Sequence, residues 1–304
     1  MMINKKLLQV ISALMILIFH VWMPMNSSTA SQLILKTGYI GVDIFFFLAA
    51  YSLADRQIEY KAFLADRLRK IYIKFLLFSI AAALYKGWSI SRLLKVITGV
   101  EFLQRGGGSF LWFIPAIMIF YLLYPLYLKL NEKTRVYYAL AAWAAFSLTA
   151  QYGFGSTAVF IFTNRIPVIL AGSVFKKYKL PNGVYPVLIP IGTLLVGLFG
   201  FNSKLNYPIK DLYFAAAVPL VVGLAWLSGF VHTGKIINLL GSCTLELYAL
   251  QVIFGPAAVR LLHGLTGSVP ATNLLSVTSL WLSAILISKG GLLIYDKRKR
   301  INTA

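Results

Sequence analysis

Apolar residues in this chain come in long unbroken runs, separated by short polar connections. Ten runs stand out, at roughly 7–25, 38–55, 71–86, 110–129, 136–152, 157–175, 184–201, 211–230, 236–256 and 272–294. A helix needs about 20 apolar residues to cross the hydrocarbon core of a bilayer. A spanning barrel would show alternating segments of ~10 residues instead, and lipid admits no other backbone geometry. The pattern therefore predicts an all-α transmembrane bundle of about ten spanning helices. The third run is short, and the last contains Lys289. The longest polar stretches are 26–37, 55–70 and 87–109, with a mixed one at 257–271. None is long enough for a core of its own, so 1–304 reads as one integral membrane domain. Segment 55–70 reads as a charged amphipathic helix on the inner surface. Gly106-Gly107-Gly108-Ser109 reads as a flexible joint before the fourth span. No internal repeat is visible, which weighs against an inverted-repeat transporter.

Composition agrees. Hydrophobic residues make up 59% and charged residues 12%, against roughly 45–50% and about 25% in soluble domains. The net charge of +20 would raise nucleic-acid binding in a soluble protein. Here the basic residues sort by connection. With the N-terminus inside, the inner connections collect Lys5, Lys6, the cluster from Arg67 to Lys74, Lys176, Lys177 and the run Lys297–Arg300. The outer ones hold fewer than half as many, among them Arg92 and Arg105. The positive-inside rule then puts both termini in the cytoplasm, as an even span count requires. Lipid headgroups account for the charge, and nucleic acid is not an expected partner. Lys5-Lys6, an apolar run and Asn26-Ser27-Ser28-Thr29-Ala30 imitate a signal peptide, but the run is long and many spans follow, so it reads as a retained first helix. The single cysteine, Cys243, allows no intrachain disulfide and no cysteine-based metal site, and no metal is expected.

Ionisable groups inside spans are the informative positions, because each costs roughly 2.5–3.5 kcal/mol to insert. They are His20, Asp43, Arg165 and Glu246, with Lys289 in the last and weaker run. His20 and Asp43 fall at similar depth on consecutive antiparallel spans. A carboxylate beside His20 would fix the imidazole tautomer and raise its basicity, as a general base requires. A structural hydrogen-bonded pair is an equal reading. Gln9 precedes His20 by eleven residues, about three turns, so the two share a helix face. Arg165, beside Pro167, needs an acidic partner or an anionic ligand, and Asp43 and Glu246 are the acids available in spans. Thr244, Tyr248 and Gln251 form a polar face on the ninth span. Arg67, Arg69, Lys70 and Lys74 flank the cytoplasmic mouth of the third span, where they either grip a phosphorylated donor or serve as an ordinary positive-inside flank.

The segment Gly38-Tyr39-Ile40-Gly41-Val42-Asp43-Ile44-Phe45-Phe46-Phe47-Leu48 resembles the signature of the acyltransferase-3 family, membrane-embedded enzymes that acylate sugars of cell-surface and secreted glycans. Other segments agree in order: Phe19-His20, Arg67-Leu68-Arg69 with Ile71-Tyr72, Leu111-Trp112-Phe113 with Tyr124-Pro125-Leu126, and Gly241 through Tyr248. The resemblance implies that His20 is catalytic, that Asp43 supports it, and that Arg67 and Arg69 bind an acyl-CoA from the cytoplasm. The chain departs from the family pattern at Gln9, where arginine is frequent, at Gln251, where histidine is common, at Thr244 for serine, and at Ala49-Ala50 for Ser-Gly.

The expected activity is O-acyl transfer, most simply of acetyl from acetyl-CoA, to a sugar hydroxyl of a surface polysaccharide or its lipid-linked precursor. Arg165, Glu246, Tyr248, Gln251 and Gln9 are the candidate substrate contacts. Acyl-CoA is the donor substrate and no tightly bound cofactor is expected. The expected location is a bacterial plasma membrane. Two alternatives stand beside this: a carrier of lipid-linked sugars or small anions using Arg165 and Glu246, and a catalytically degenerate relative of the family.

Overall fold

The computed structural model describes residues 3–23, 29–151, 157–200 and 209–302. Every described element is helical. In order these are α1 (Lys5–Val21), α2 (Thr29–Leu53), α3 (Tyr60–Arg67), α4 (Ile73–Lys86), α5 (Ile90–Ile97), α6 (Val100–Arg105), α7 (Phe113–Tyr127), α8 (Glu132–Gln151), α9 (Thr157–Thr163), α10 (Ile166–Lys177), α11 (Tyr185–Gly200), α12 (Ile209–Ser228), α13 (Lys235–Ser242), α14 (Thr244–Thr266) and α15 (Val269–Asn302). A π-helical turn, Leu68–Tyr72, joins α3 to α4, and a 3-10 turn, Gly106–Gly108, follows α6. Asn26-Ser27-Ser28 and Lys204 lie outside the described residues.

Each of the ten apolar runs holds a helical segment among its described residues, but the boundaries differ from the expected ones. The sixth run breaks at Asn164-Arg165 into α9 and α10, where Pro167 can only sit in a first turn. The ninth breaks at Cys243 and then continues as helix to Thr266, ten residues past its expected end. The stretch 257–271 is thus almost wholly helical, interrupted only at Gly267-Ser268 between α14 and α15. Among the described residues two helices, Thr244–Thr266 and Val269–Gly290, are long and apolar enough by themselves to cross a membrane. A third candidate is Val100–Gly108 with Phe113–Tyr127, bent by 119°.

The chain forms two compact units, Met1–Gly41 with Leu227–Ala304, and Val42–Trp226. In the first, α1 packs against α13, α14 and α15. The Asn273 side chain closes a pair of hydrogen bonds on the end of α1, accepting from Met23 N (2.8 Å) and donating to Met23 O (2.9 Å). The start of α2 lies close on α1. A Cβ on Gly41 would stand 2.7 Å from the Ser12 carbonyl oxygen, and the Ser12 hydroxyl donates to the Gly41 carbonyl. Small residues at such crossings let backbones approach, as membrane helix pairs need.

In the second unit, α2 continues through Asp43 and packs on α10, where a Cβ on Gly172 would meet the Phe47 carbonyl oxygen at 2.5 Å. The expected loop at 87–109 is a folded helical hairpin. Gly87 stops α4 in the left-handed conformation, Ser89 caps α5, and the Tyr72 hydroxyl donates to the Ile97 carbonyl at 2.7 Å. The glycine run is a packed turn rather than a loose joint, since Ser109 donates both its amide and its hydroxyl to the Gly106 carbonyl.

Candidate active-site residues

His20 sits in the last turn of α1, a helix started by Asn4, whose side chain accepts from Leu7 N. Its Nδ1 lies 2.8 Å from the Ile16 carbonyl oxygen. A carbonyl only accepts, so Nδ1 carries the hydrogen in that bond. In the neutral ring the basic lone pair is therefore on Nε2. The tautomer that sequence reasoning assigned to a carboxylate is set here by the helix backbone, one turn back. The Phe19 ring stands edge-on to the imidazole at 5.1 Å.

The same unit holds two amide oxygens without hydrogen-bond partners. Gln9 Oε1 on α1 and Gln251 Oε1 on α14 are both buried and unbonded, on helices that pack together. Such acceptors are costly to bury alone and fit a ligand that brings donors. Tyr248 and Glu246 are buried on α14 as well. The break at Cys243 puts Glu246 in the first turn of α14, where the free amides and the positive end of the helix favour a carboxylate. Its burial thus has a structural cause that an unbroken ninth span would not supply.

In the second unit, Asp43 and Arg165 form a fully buried ion pair, Nε to Oδ1 at 3.3 Å, with side chains 0% and 2% exposed. The helix break makes this possible. Arg165 is the residue before α10, so its side chain reaches back to donate to the Ile161 carbonyl on α9 at 3.0 Å. A guanidinium there suits the negative end of α9 and opposes the positive end of α10; the Asp43 carboxylate offsets the second effect. Phe214 lies 4.0 Å from the guanidinium carbon and Trp112 lies 5.6 Å away, each supplying a ring face to the cation. Of the two acids open to Arg165 on sequence grounds, Asp43 is the partner found.

Arg67 and Arg69 sit at the junction of α3 and the π-helical turn. Both reach Asp66, at 3.7 and 3.8 Å, and Lys70 bonds it at 2.7 Å. The Lys70 hydrogen bond, with Arg67 and Arg69 beside it, holds the Asp66 carboxyl below the usual carboxylate range. Three cations around one acid leave a net positive mouth. Arg67 is additionally stacked on Phe63 and Tyr121, at 5.2 and 5.3 Å. π-Turns recur at functional sites, where they re-aim side chains. Leu68 and Tyr72, on the same turn, line an apolar cavity of ≈ 320 Å³ walled by Phe75, Phe102, Met118 and Leu122.

Sequence reasoning missed three features. Trp112 and Phe214 carry no sign that they would lie over Arg165. Leu111 is fully buried with φ +48°, a left-handed backbone at the bend before α7. Such a conformation costs on the order of 1–3 kcal/mol in a non-glycine residue and persists only where packing enforces it; Trp112 follows it directly in the chain. Glu101, 5% exposed, lies in a stretch that reads as an ordinary polar loop.

Among the described residues no group of three or more His, Cys, Asp or Glu is placed to hold a metal. No curated protein and no solved structure matches the chain. A family model, that of the acyltransferase domain, matches residues 6–288. That range spans α1 to α15 and contains His20, Asp43, both arginines of the π-turn, Arg165 and Gln251, so the chain is a membrane protein that belongs to the acyltransferase-3 family.

Proposed function

We propose that the protein moves an acyl group, most simply acetyl, from a cytosolic coenzyme A thioester to a sugar hydroxyl of a surface glycan or its lipid-linked precursor. The observation that carries this reading is the Nδ1–Ile16 hydrogen bond. It leaves His20 Nε2 as a base of fixed orientation in a chain of an acyltransferase family. Nε2 takes the proton of the acceptor hydroxyl as its oxygen attacks the thioester carbonyl. The C–S bond breaks and the leaving thiolate recovers the proton from the imidazolium. Alternatively the imidazole carries the acyl group briefly itself.

The donor's phosphates are read as bound by Arg67 and Arg69, with the cavity beside the π-turn giving room for an apolar part of the donor. Gln9, Gln251 and Tyr248 are read as acceptor contacts, supported by the two unbonded amide oxygens. Arg165 and Asp43 are read as a strut that fixes the α9–α10 break beside Trp112, because Arg165 is already engaged by a carboxylate, a carbonyl and two rings. In this reading about ten spans cross a bacterial plasma membrane, with both termini cytoplasmic.

The test is mass spectrometry of surface glycans from the native host lacking its own copy, complemented with wild type, His20→Ala or His20→Asn. Asparagine keeps a donor for the Ile16 carbonyl and removes the base. One acyl increment with wild type, and its loss by 10²-fold or more with both variants at equal membrane abundance, is the expected result. Transfer retained by His20→Asn refutes the assignment.

A further inference from the structure

The hairpin of α5 and α6 holds a charge cluster that the acyl-transfer reading does not use. Glu101 Oε1 takes a hydrogen bond from Arg92 Nη2 at 3.4 Å and from Arg105 Nη1 at 3.2 Å. Its other oxygen, Oε2, is buried with no hydrogen-bond partner. The two guanidiniums are themselves open, with side chains 44% and 57% exposed. Because both nitrogens lie on one oxygen atom, they stand within about 7 Å of each other. Each guanidinium uses one donor on Glu101 and has others to spare. Arg92 also stacks on Trp88 at 4.3 Å, Trp88 meets Phe110 edge-on, and Lys86 lies over Phe110. The cluster thus sets two arginines on one acid, with Lys86 over the neighbouring Phe110 ring.

We propose that Arg92 and Arg105, held as a pair by Glu101, form an anion site that grips the phosphate of a lipid-borne phosphate monoester or diphosphate. Two forked guanidiniums a few ångströms apart match the oxygens of one phosphate group. The same short helices supply the reason for a lipid carrier. Ile90 and Leu94, one turn apart on α5, and Leu103 on α6 are exposed apolar residues, 78%, 52% and 54% accessible. A ligand that places charge at the arginines and an apolar tail along these side chains satisfies both. Phosphate binding stands without the enzymatic reading. Its identification as the place where a lipid-linked acceptor docks rests on that reading.

Glu101 is a positioning residue here, and the sign of its effect separates the proposal from plain electrostatics. Neutralising an acid within a cationic cluster strengthens anion binding if charge alone matters. It weakens binding if the carboxylate holds the arginines in place. The experiment measures retention of lipid by the full-length protein in nanodiscs, using a polyprenyl phosphate, the matching neutral polyprenol and phosphatidylglycerol as probes, with inorganic phosphate as competitor. Polyprenyl phosphate should bind at least tenfold more tightly than polyprenol and more tightly than the singly charged diester. Arg92→Gln with Arg105→Gln, both exposed positions, should remove that margin, and Glu101→Gln should reduce it. Equal binding of phosphate and polyprenol, tighter binding in Glu101→Gln, or an unchanged margin in the double arginine variant would overturn the proposal. So would displacement of the lipid by an equal concentration of inorganic phosphate, which would make free phosphate the ligand. None of these readouts involves acyl transfer, so loss of the site and loss of the enzymatic reading are separately visible.

Discussion

Asp43→Asn is the substitution whose consequence the structure defines most fully. It changes one oxygen to an amide and removes a charge, with almost no change in volume. Arg165 then stays buried at 1% exposure with its counter-charge gone. At an effective dielectric of ~20, unit charges 3.3 Å apart attract by about 5 kcal/mol. Deleting one member of a buried pair costs about 3–5 kcal/mol in practice. The Ile161 carbonyl and the Phe214 ring still hold the guanidinium, and asparagine keeps an acceptor, so the lower end, about 3 kcal/mol, is expected. For a chain of this length that is roughly 6 °C in apparent melting temperature. Removing both charges with Asp43→Asn and Arg165→Met should recover part of the loss, since no buried charge is then left without its counter-charge, while the asparagine amide still places polar atoms in an apolar site. The assay is a double-mutant cycle by thermal unfolding of the purified protein in detergent. A coupling of about 2–3 kcal/mol is expected between the two positions. Strictly additive losses, or an Asp43→Asn variant as stable as wild type, would refute the ion pair as the element that fixes this helix break.

Three further predictions follow from other sites. Gly41→Ala should gain up to about 1 kcal/mol of helix propensity yet lose stability on balance, by about 1–2 kcal/mol, because the new methyl meets the Ser12 backbone oxygen at 2.7 Å; a stabilised variant by thermal unfolding would show that α1 and α2 are not close there. Arg67→Gln with Arg69→Gln should raise the donor KM about tenfold or more with a smaller effect on kcat, read from transfer kinetics over a range of acyl-CoA concentrations; an unchanged KM would move the donor elsewhere. The Asp66 carboxyl is depressed by Lys70 and its neighbours, so its contribution is complete above the ordinary carboxylate value of about 3.9 and is lost as pH falls through its lower folded value. The stability difference between wild type and Asp66→Asn should be flat from pH 8 to 5 and shrink in stronger acid; a difference that changes near neutral pH would contradict the assignment.

What the sequence by itself determined was the class of the protein. Ten apolar runs forced helices, because lipid leaves no other way to satisfy a backbone. The order of short motifs around His20, Asp43 and Arg67 indicated the family that the match over residues 6–288 bears out. It also singled out Asp43 and Arg165, since ionisable groups inside apolar runs are too costly to be incidental. Only the tertiary structure decided their partners. Hydropathy is a sum over a window, and it cannot see that Pro167 and Cys243 sit at helix breaks, which turn Arg165 into a residue that reaches back to α9 and Glu246 into a first-turn acid. It likewise cannot see that a carbonyl one turn earlier on the same helix fixes the His20 tautomer, because every helical residue offers such a carbonyl and only the rotamer selects it. The hairpin at 87–109 was illegible for a related reason. Glu101 there is paired with two arginines, four residues later and nine residues earlier, that a loop reading leaves in water, and it is chain folding, not composition, that brings their charges onto one oxygen atom.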